Sequence, residues 1–140
     1  MPLYFSYGRL MNRDVMAKRC KRAKTLGPAQ MDGYRFIIGR GGVPSLLKAP
    51  MQCVHGVLWD LHVSDVPSVD SAEALMRGAM DKVFIPVRHQ GITRSALVYV
   101  TRSAASGRAH DKAIEGLADA LEQWQMPQLY RQHVLSLLQR

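Results

Sequence analysis

From Leu3 to Tyr7 the side chains alternate, with Leu3, Phe5 and Tyr7 set against Tyr4 and Ser6, which predicts a strand with one face toward a core. Gly8 breaks it. Asn12 is suited to capping a helix, and Met11, Val15, Met16 and Cys20 recur at helical spacing through about Lys21. Strand, tight loop and helix are therefore expected in close succession. Gly27 and Pro28 punctuate the chain before a second strand around Tyr34 to Ile38, and GRGGVP after it predicts a loop. That glycine run is no dinucleotide fingerprint, because it opens no helix on which a pyrophosphate could rest. A third strand is expected from Val54 to Leu61, where Gly56 permits a bulge or a close backbone approach. Ser64 is the candidate cap of a short helix in which Val66, Val69 and Glu73 share the helical spacing. Lys82 to Arg88 and Ile92 to Arg102 predict a hairpin turning at Gln90 and Gly91. Beyond the polar link SAASGR, the residues Ile114, Leu117, Leu121 and Trp124 keep one helical period. Pro127 then opens a last amphipathic helix carrying Leu129, Tyr130, Val134, Leu137 and Leu138. No repeat or low-complexity linker divides the chain, so one mixed α+β domain is expected over residues 1–140.

Composition narrows the class. At 140 residues, with 47% hydrophobic and 21% charged side chains, the chain can bury a core without disulfides or metals. No apolar run approaches the roughly 18 residues of a membrane span. The N-terminus, MPLYFSYG, is strand-like and has none of the parts of a secretory signal, so a soluble, cytoplasmic protein is expected. Cys20 and Cys53 are too few for a disulfide framework and lack the spacing of a zinc site; both read as free thiols.

The formal charge of +8 is local. Arg9, Arg13, Lys18, Arg19, Lys21, Arg22 and Lys24 stand against Asp14 alone, which leaves only +2 for the rest of the chain. Lys18, Lys21 and Arg22 fall on one helical face, consistent with a solvated surface. A focused positive field would also attract a small anionic substrate. Nucleic-acid binding is the weakest account, since no aromatic platform or reading motif accompanies the charge.

Of three glutamates, Glu115 and Glu122 occupy ordinary positions of an amphipathic helix. Glu73 is different. It lies near the end of a short helix between Ala72 and Ala74, small neighbours that leave room for a ligand beside a carboxylate able to exchange a proton. A surface helix-end carboxylate is the alternative at this level. His55 and His62 flank a strand without a second pair at metal-binding spacing, and Ser6 and Ser45 sit in no nucleophile elbow. Asp70 and Glu73 are three apart, which is commonly just a charged face.

Taken in order, YFSYGRLM with its helix, GYRFIIG, VHGVLWDL, the VDSAEAL segment and the hairpin strands resemble the γ-glutamyl cyclotransferase-like, or AIG2-like, superfamily over most of the chain. That family's Y-G-S-N-L or Y-G-T-L-M loop corresponds to Tyr7, Gly8, Arg9, Leu10 and Met11. Its G-x-L-W strand corresponds to Gly56, Val57, Leu58 and Trp59. Its L-D-x-x-E segment corresponds to Val69 through Glu73. The C-terminal QMPQLYRQHVLSLL is similar to the helix-opening segment of the glutathione-metabolising branch.

The resemblance implies a small curved mixed β-sheet or barrel flanked by helices, with a pocket between the glycine loop and the acidic residue. The implied chemistry needs no cofactor: a γ-glutamyl amide, an amine or peptide conjugate, cyclises to 5-oxoproline and releases its amine. Glu73 is the implied general acid/base, and Tyr7, Gly8, Arg9, Leu10 and Met11 the implied substrate-binding loop, with backbone N–H groups from Gly8 to Leu10 around the oxyanion. A Cβ at Gly8 would obstruct the turn. The chain departs from the family at Arg9, where Ser or Thr is usual, at Met80 for Tyr, at Lys82 for Arg, and in SAASGRAH, which lacks a tyrosine. Arg9 in the pocket would favour an acidic substrate or block the usual pose. Two other readings stand beside the enzyme: a family member without turnover that binds a small acidic ligand or a protein partner, and a basic-patch nucleic-acid binder.

Overall fold

The computed structural model describes residues 2–39, 41–77, 80–101 and 107–139. Five strands close a barrel: β1 (Leu3–Ser6), β2 (Lys24–Ile38), β3 (Pro44–Asp60), β4 (Met80–His89) and β5 (Ile92–Thr101), in the spatial order β1-β3-β2-β4-β5. Between and after them run α1 (Arg13–Arg19), α2 (Val66–Arg77), α3 (Asp111–Ile114), α4 (Leu117–Gln123) and α5 (Gln128–Leu138). The expected mixed α+β barrel flanked by helices is the observed fold. Among the described residues no helix is long and apolar enough to cross a membrane.

The short β1 is central. It pairs antiparallel with β3, Phe5 opposite Leu58, and parallel with β5, Tyr4 opposite Leu97. Tyr4, Phe5 and Ser6 are all buried, so the one-faced strand expected from alternation is covered on both faces. The close approach anticipated at Gly56 is real: a Cβ there would lie 2.4 Å from the Ser6 carbonyl oxygen and 2.6 Å from Phe5 Cζ.

The second and third strands are much longer than Tyr34 to Ile38 and Val54 to Leu61. The residues that punctuate the sequence sit in irregularities of a continuous hairpin rather than at its ends. Thr25 pairs with Trp59 and Gly27 with Leu58, which leaves Leu26 as an extra residue beside Gly27 at φ +100°. Farther along, Asp32 faces Cys53 and Tyr34 faces Lys48, so Pro50 falls in an unpaired stretch where its missing N–H costs no ladder bond. Between these strands lie Gly41 at φ +84° and Gly42 at φ +79° of the GRGGVP run, in which Arg40 is outside the described residues.

Three helix boundaries also differ from expectation. The first helix ends at Arg19, and Met11 lies in a preceding 3-10 turn. Ser64 sits inside a 3-10 turn whose cap is the ring of His62, accepting from the Ser64 N–H at 3.1 Å. The expected continuous helix through Ile114 and Trp124 is two helices, because Gly116 adopts the left-handed conformation at φ +81°. Arg102 and the SAAS part of the link lie outside the described residues.

Candidate active site

After β1 the chain makes a 3-10 turn over Arg9–Met11, closed by Met11 N–H donating to the Gly8 carbonyl and Asn12 N–H to the Arg9 carbonyl, each at 3.0 Å. Asn12 then starts α1 as expected: its Oδ1 accepts from the N–H groups of Asp14 and Val15 at 2.9 and 3.2 Å. Distant parts of the chain hold this loop. The Tyr7 hydroxyl donates to the Tyr99 carbonyl at 2.5 Å, Trp124 Nε1 to the Met11 carbonyl at 2.7 Å, and Asn12 Nδ2 to the Gly116 carbonyl at 2.8 Å. Gly8 turns at φ −119°, so a left-handed turn does not explain the glycine.

Within the loop, Tyr7 and Met11 are buried anchors, while Arg9 and Leu10 face a cavity. Its other described walls are Val15 and Arg19 from α1 and Ala72 and Glu73 from α2. Glu73 is 8% exposed, which excludes the surface helix-end reading. The cavity is narrow, about 20 Å³, space for roughly one water. Outside it opens a larger cavity of about 450 Å³ that shares Arg9, Val15 and Arg19 and adds Asp14, Lys18, Ser68 and Glu115. Arg9 thus points toward the cavity of Glu73, and its buried Nε has no hydrogen-bond partner.

One turn before Glu73, Asp70 ties α2 to the barrel. It accepts from the Tyr99 hydroxyl on β5 and pairs with Lys82 on β4 at 3.0 Å. Burial pushes the Asp70 carboxyl up, but Tyr99 and Lys82 together outweigh it and hold the group below its ordinary value. The Tyr99 hydroxyl is pushed well up, first by burial, then by Asp70, with the charge of Glu73 adding to it. Lys82, the departure from a family arginine, therefore has a defined partner; the Met80 side chain lies outside the described residues.

The remaining candidates are structural. Trp59 Nε1 donates to Ser6 Oγ at 3.3 Å, and Ser45 Oγ donates to the Val43 carbonyl. His55 packs its ring on Tyr130, and burial lowers its pKa. Cys20 is pushed up to about 11, chiefly by burial, so its thiol is protonated at neutral pH. Among the described residues no cluster of His, Cys, Asp and Glu could hold a metal ion. Sequence reasoning missed Val15, Arg19 and Tyr99. The basic stretch around Arg19 was a signal for one of them; Tyr99 looks like any strand tyrosine.

The structure is similar to a solved γ-glutamyl cyclotransferase, with a TM-score of 0.84 at 16% identity, covering 97% of this chain and 87% of that one. A human protein, loc79017, gives a TM-score of 0.84 at 19% identity over 96% and 86% of the two chains. YkqA from Bacillus subtilis gives 0.81 at 15% identity over 99% of this chain and 54% of its own. None of the curated protein sequences matches the chain. The family model described as gamma-glutamyl cyclotransferase, AIG2-like, matches residues 4–126. With that match spanning most of its length, the chain belongs to the γ-glutamyl cyclotransferase, AIG2-like family.

Proposed function

We propose that the protein cyclises a small γ-glutamyl amide to 5-oxoproline and releases the amine, with Glu73 as general acid/base. The observation that carries this reading is the single cavity lined by Glu73 from α2 and by Arg9 and Leu10 from the loop after β1. In the reaction the substrate's own α-amino nitrogen attacks its γ-carbonyl carbon, forming the lactam C–N bond. The old amide C–N bond then breaks. Glu73 takes the proton that the attacking nitrogen loses and returns it to the departing nitrogen, so the carboxylate is regenerated. Because nucleophile and electrophile belong to one molecule, holding it folded supplies much of the acceleration, with effective molarities on the order of 10⁵ M or more.

The oxyanion formed at the γ-carbonyl needs donors. The N–H groups of Gly8, Arg9 and Leu10 give to no backbone carbonyl among the described residues, and they follow a strand fixed on both sides. Tyr7 and Met11 serve the site by anchoring this loop rather than by lining the described cavity. Entry of a γ-glutamyl group into so narrow a space requires the Arg9 or Arg19 side chain to swing aside toward the larger cavity, which both also line.

The test is to incubate the pure protein with γ-glutamyl amines and γ-glutamyl dipeptides and to assay 5-oxoproline. Turnover is expected, falling about 100-fold or more in Glu73→Gln. Turnover that Glu73→Gln leaves unchanged removes Glu73 from the mechanism. Thermal stabilisation by these compounds with no product identifies a binding protein instead.

A further inference from the structure

Two hollows lie on opposite sides of α1. Asp14, Val15, Lys18 and Arg19 face the one outside Glu73, whereas Arg13, Met16, Ala17 and Cys20, spaced by three and four, face the other. Between that second face and the strands β2 and β3 is a cavity of about 350 Å³, within the range of roughly 300–1,000 Å³ usual for small-molecule sites. The cyclisation makes no use of it.

Its floor is apolar and its rim is cationic. Met16, Cys20 and Trp59 form the buried floor. The Trp59 N–H is already given to Ser6 Oγ, and the Cys20 thiol stays protonated at neutral pH, so the floor offers neither a free indole donor nor a negative charge. Arg13 and Lys21 line the rim, and among the described residues neither makes an ion pair. No Asp or Glu is among the described walls; Asp65, whose charge reaches Cys20, lies outside them and accepts from the Arg22 N–H at 3.2 Å. The Arg13 guanidinium is held in place, its carbon 3.9 Å from the centroid of the Trp124 ring, while its backbone N–H donates to Gln123 Oε1 at 2.9 Å. Thr25 Oγ1, also on the rim, accepts from the Gly27 N–H at 3.1 Å, which leaves its hydroxyl hydrogen to donate. A bare anion gains little on exposed cations that water screens, and an uncharged apolar molecule gains nothing from them. We propose that this hollow is a second ligand site, taking a small molecule that joins an anionic group to a flat apolar body, the anion on the cationic rim and the body on Met16 and Trp59.

The probes are 1-naphthylacetate, its neutral amide 1-naphthylacetamide, and acetate, which keeps the charge without the rings. Calorimetric affinities would be measured for the wild type, Lys21→Gln, Ala17→Leu and, as a control on the opposite side of α1, Arg19→Gln. All three positions are exposed, so none of these variants disturbs the core. The wild type is expected to bind naphthylacetate about tenfold or more tighter than the amide, and acetate not measurably. Lys21→Gln should reduce the preference for the acid over the amide to about threefold or less. Ala17→Leu, which fills the hollow without changing charge, should weaken both ring compounds, and Arg19→Gln should change neither. Equal affinity for acid and amide, or no heat from the acid at millimolar concentration, overturns the proposal. So does binding that Arg19→Gln weakens and Lys21→Gln does not, which places the anion on the other side of the helix. A dimer in solution that Ala17→Leu dissociates assigns the hollow to a second copy of the chain and overturns it as well.

Discussion

Asn12 joins the candidate loop to the rest of the molecule through two bonds that substitution can separate. The residue is 4% exposed; its Oδ1 caps α1 and its Nδ2 donates to the Gly116 carbonyl, 104 residues away. Asn12→Ala removes both. Loss of the cap costs about 1 kcal/mol. The part-buried Gly116 carbonyl left without its donor adds about 1–3 kcal/mol, so the variant should lose about 2–4 kcal/mol in all. Asn12→Ser keeps a capping oxygen but has no amide to reach the Gly116 carbonyl. Its expected stability therefore lies between Asn12→Ala and the wild type. Urea unfolding with an unchanged m-value would measure both losses. A Ser variant no more stable than Ala would refute the separation into cap and tie. A Ser variant as stable as the wild type would show that the bond to Gly116 contributes nothing.

Two further outcomes follow from the packing of β1 and the anchoring of α2. Gly56→Ala puts a carbon 2.4 Å from the Ser6 carbonyl oxygen, a backbone atom that cannot turn away, and should cost about 1–3 kcal/mol or more; a melting temperature within a degree of the wild type would contradict this. Asp70 is held below its ordinary carboxyl value in the folded state, so its charge stabilises the protein above the unfolded value near pH 4, and that contribution is lost as pH falls through the folded value. The Asp70 side chain is 43% exposed, so Asp70→Asn should cost at most about 1 kcal/mol at pH 7. The gap should close on acidification toward pH 3, and a gap of constant size from pH 7 to pH 3 would show that charge is not its source.

Element type could be read from the sequence wherever one physical requirement dominated. Asn12 had the side chain and position of a cap and is one; Gly56 had the mark of a close approach and meets Ser6 and Phe5. The failures came where a breaking residue was absorbed by tertiary structure. Gly27 looked like a strand boundary because a bulge is specified by the partner strand, which no local pattern contains. Gly116 went the other way: an apolar period ran across it, while its left-handed conformation and the bond to Asn12 depend on a distant loop. At the site, Glu73 stood out by type and by its small neighbours. The inward direction of Arg9, its sharing of a cavity with Arg19, and the link from Asp70 to Tyr99 arise only when α1, α2 and β5 meet.

The three bonds that hold the loop after β1 come from Tyr99, Gly116 and Trp124, at separations of 92, 104 and 113 residues. In a chain emerging from the ribosome, the loop is made well before the residues that complete it. Until the helices after β5 arrive it has β1 and the bond to Tyr99 but not those to Gly116 and Trp124, so the entropy of closing these long spans is met late. A shortened chain that ends before Trp124 would carry every residue of the described inner cavity and lack one of the bonds that shape it.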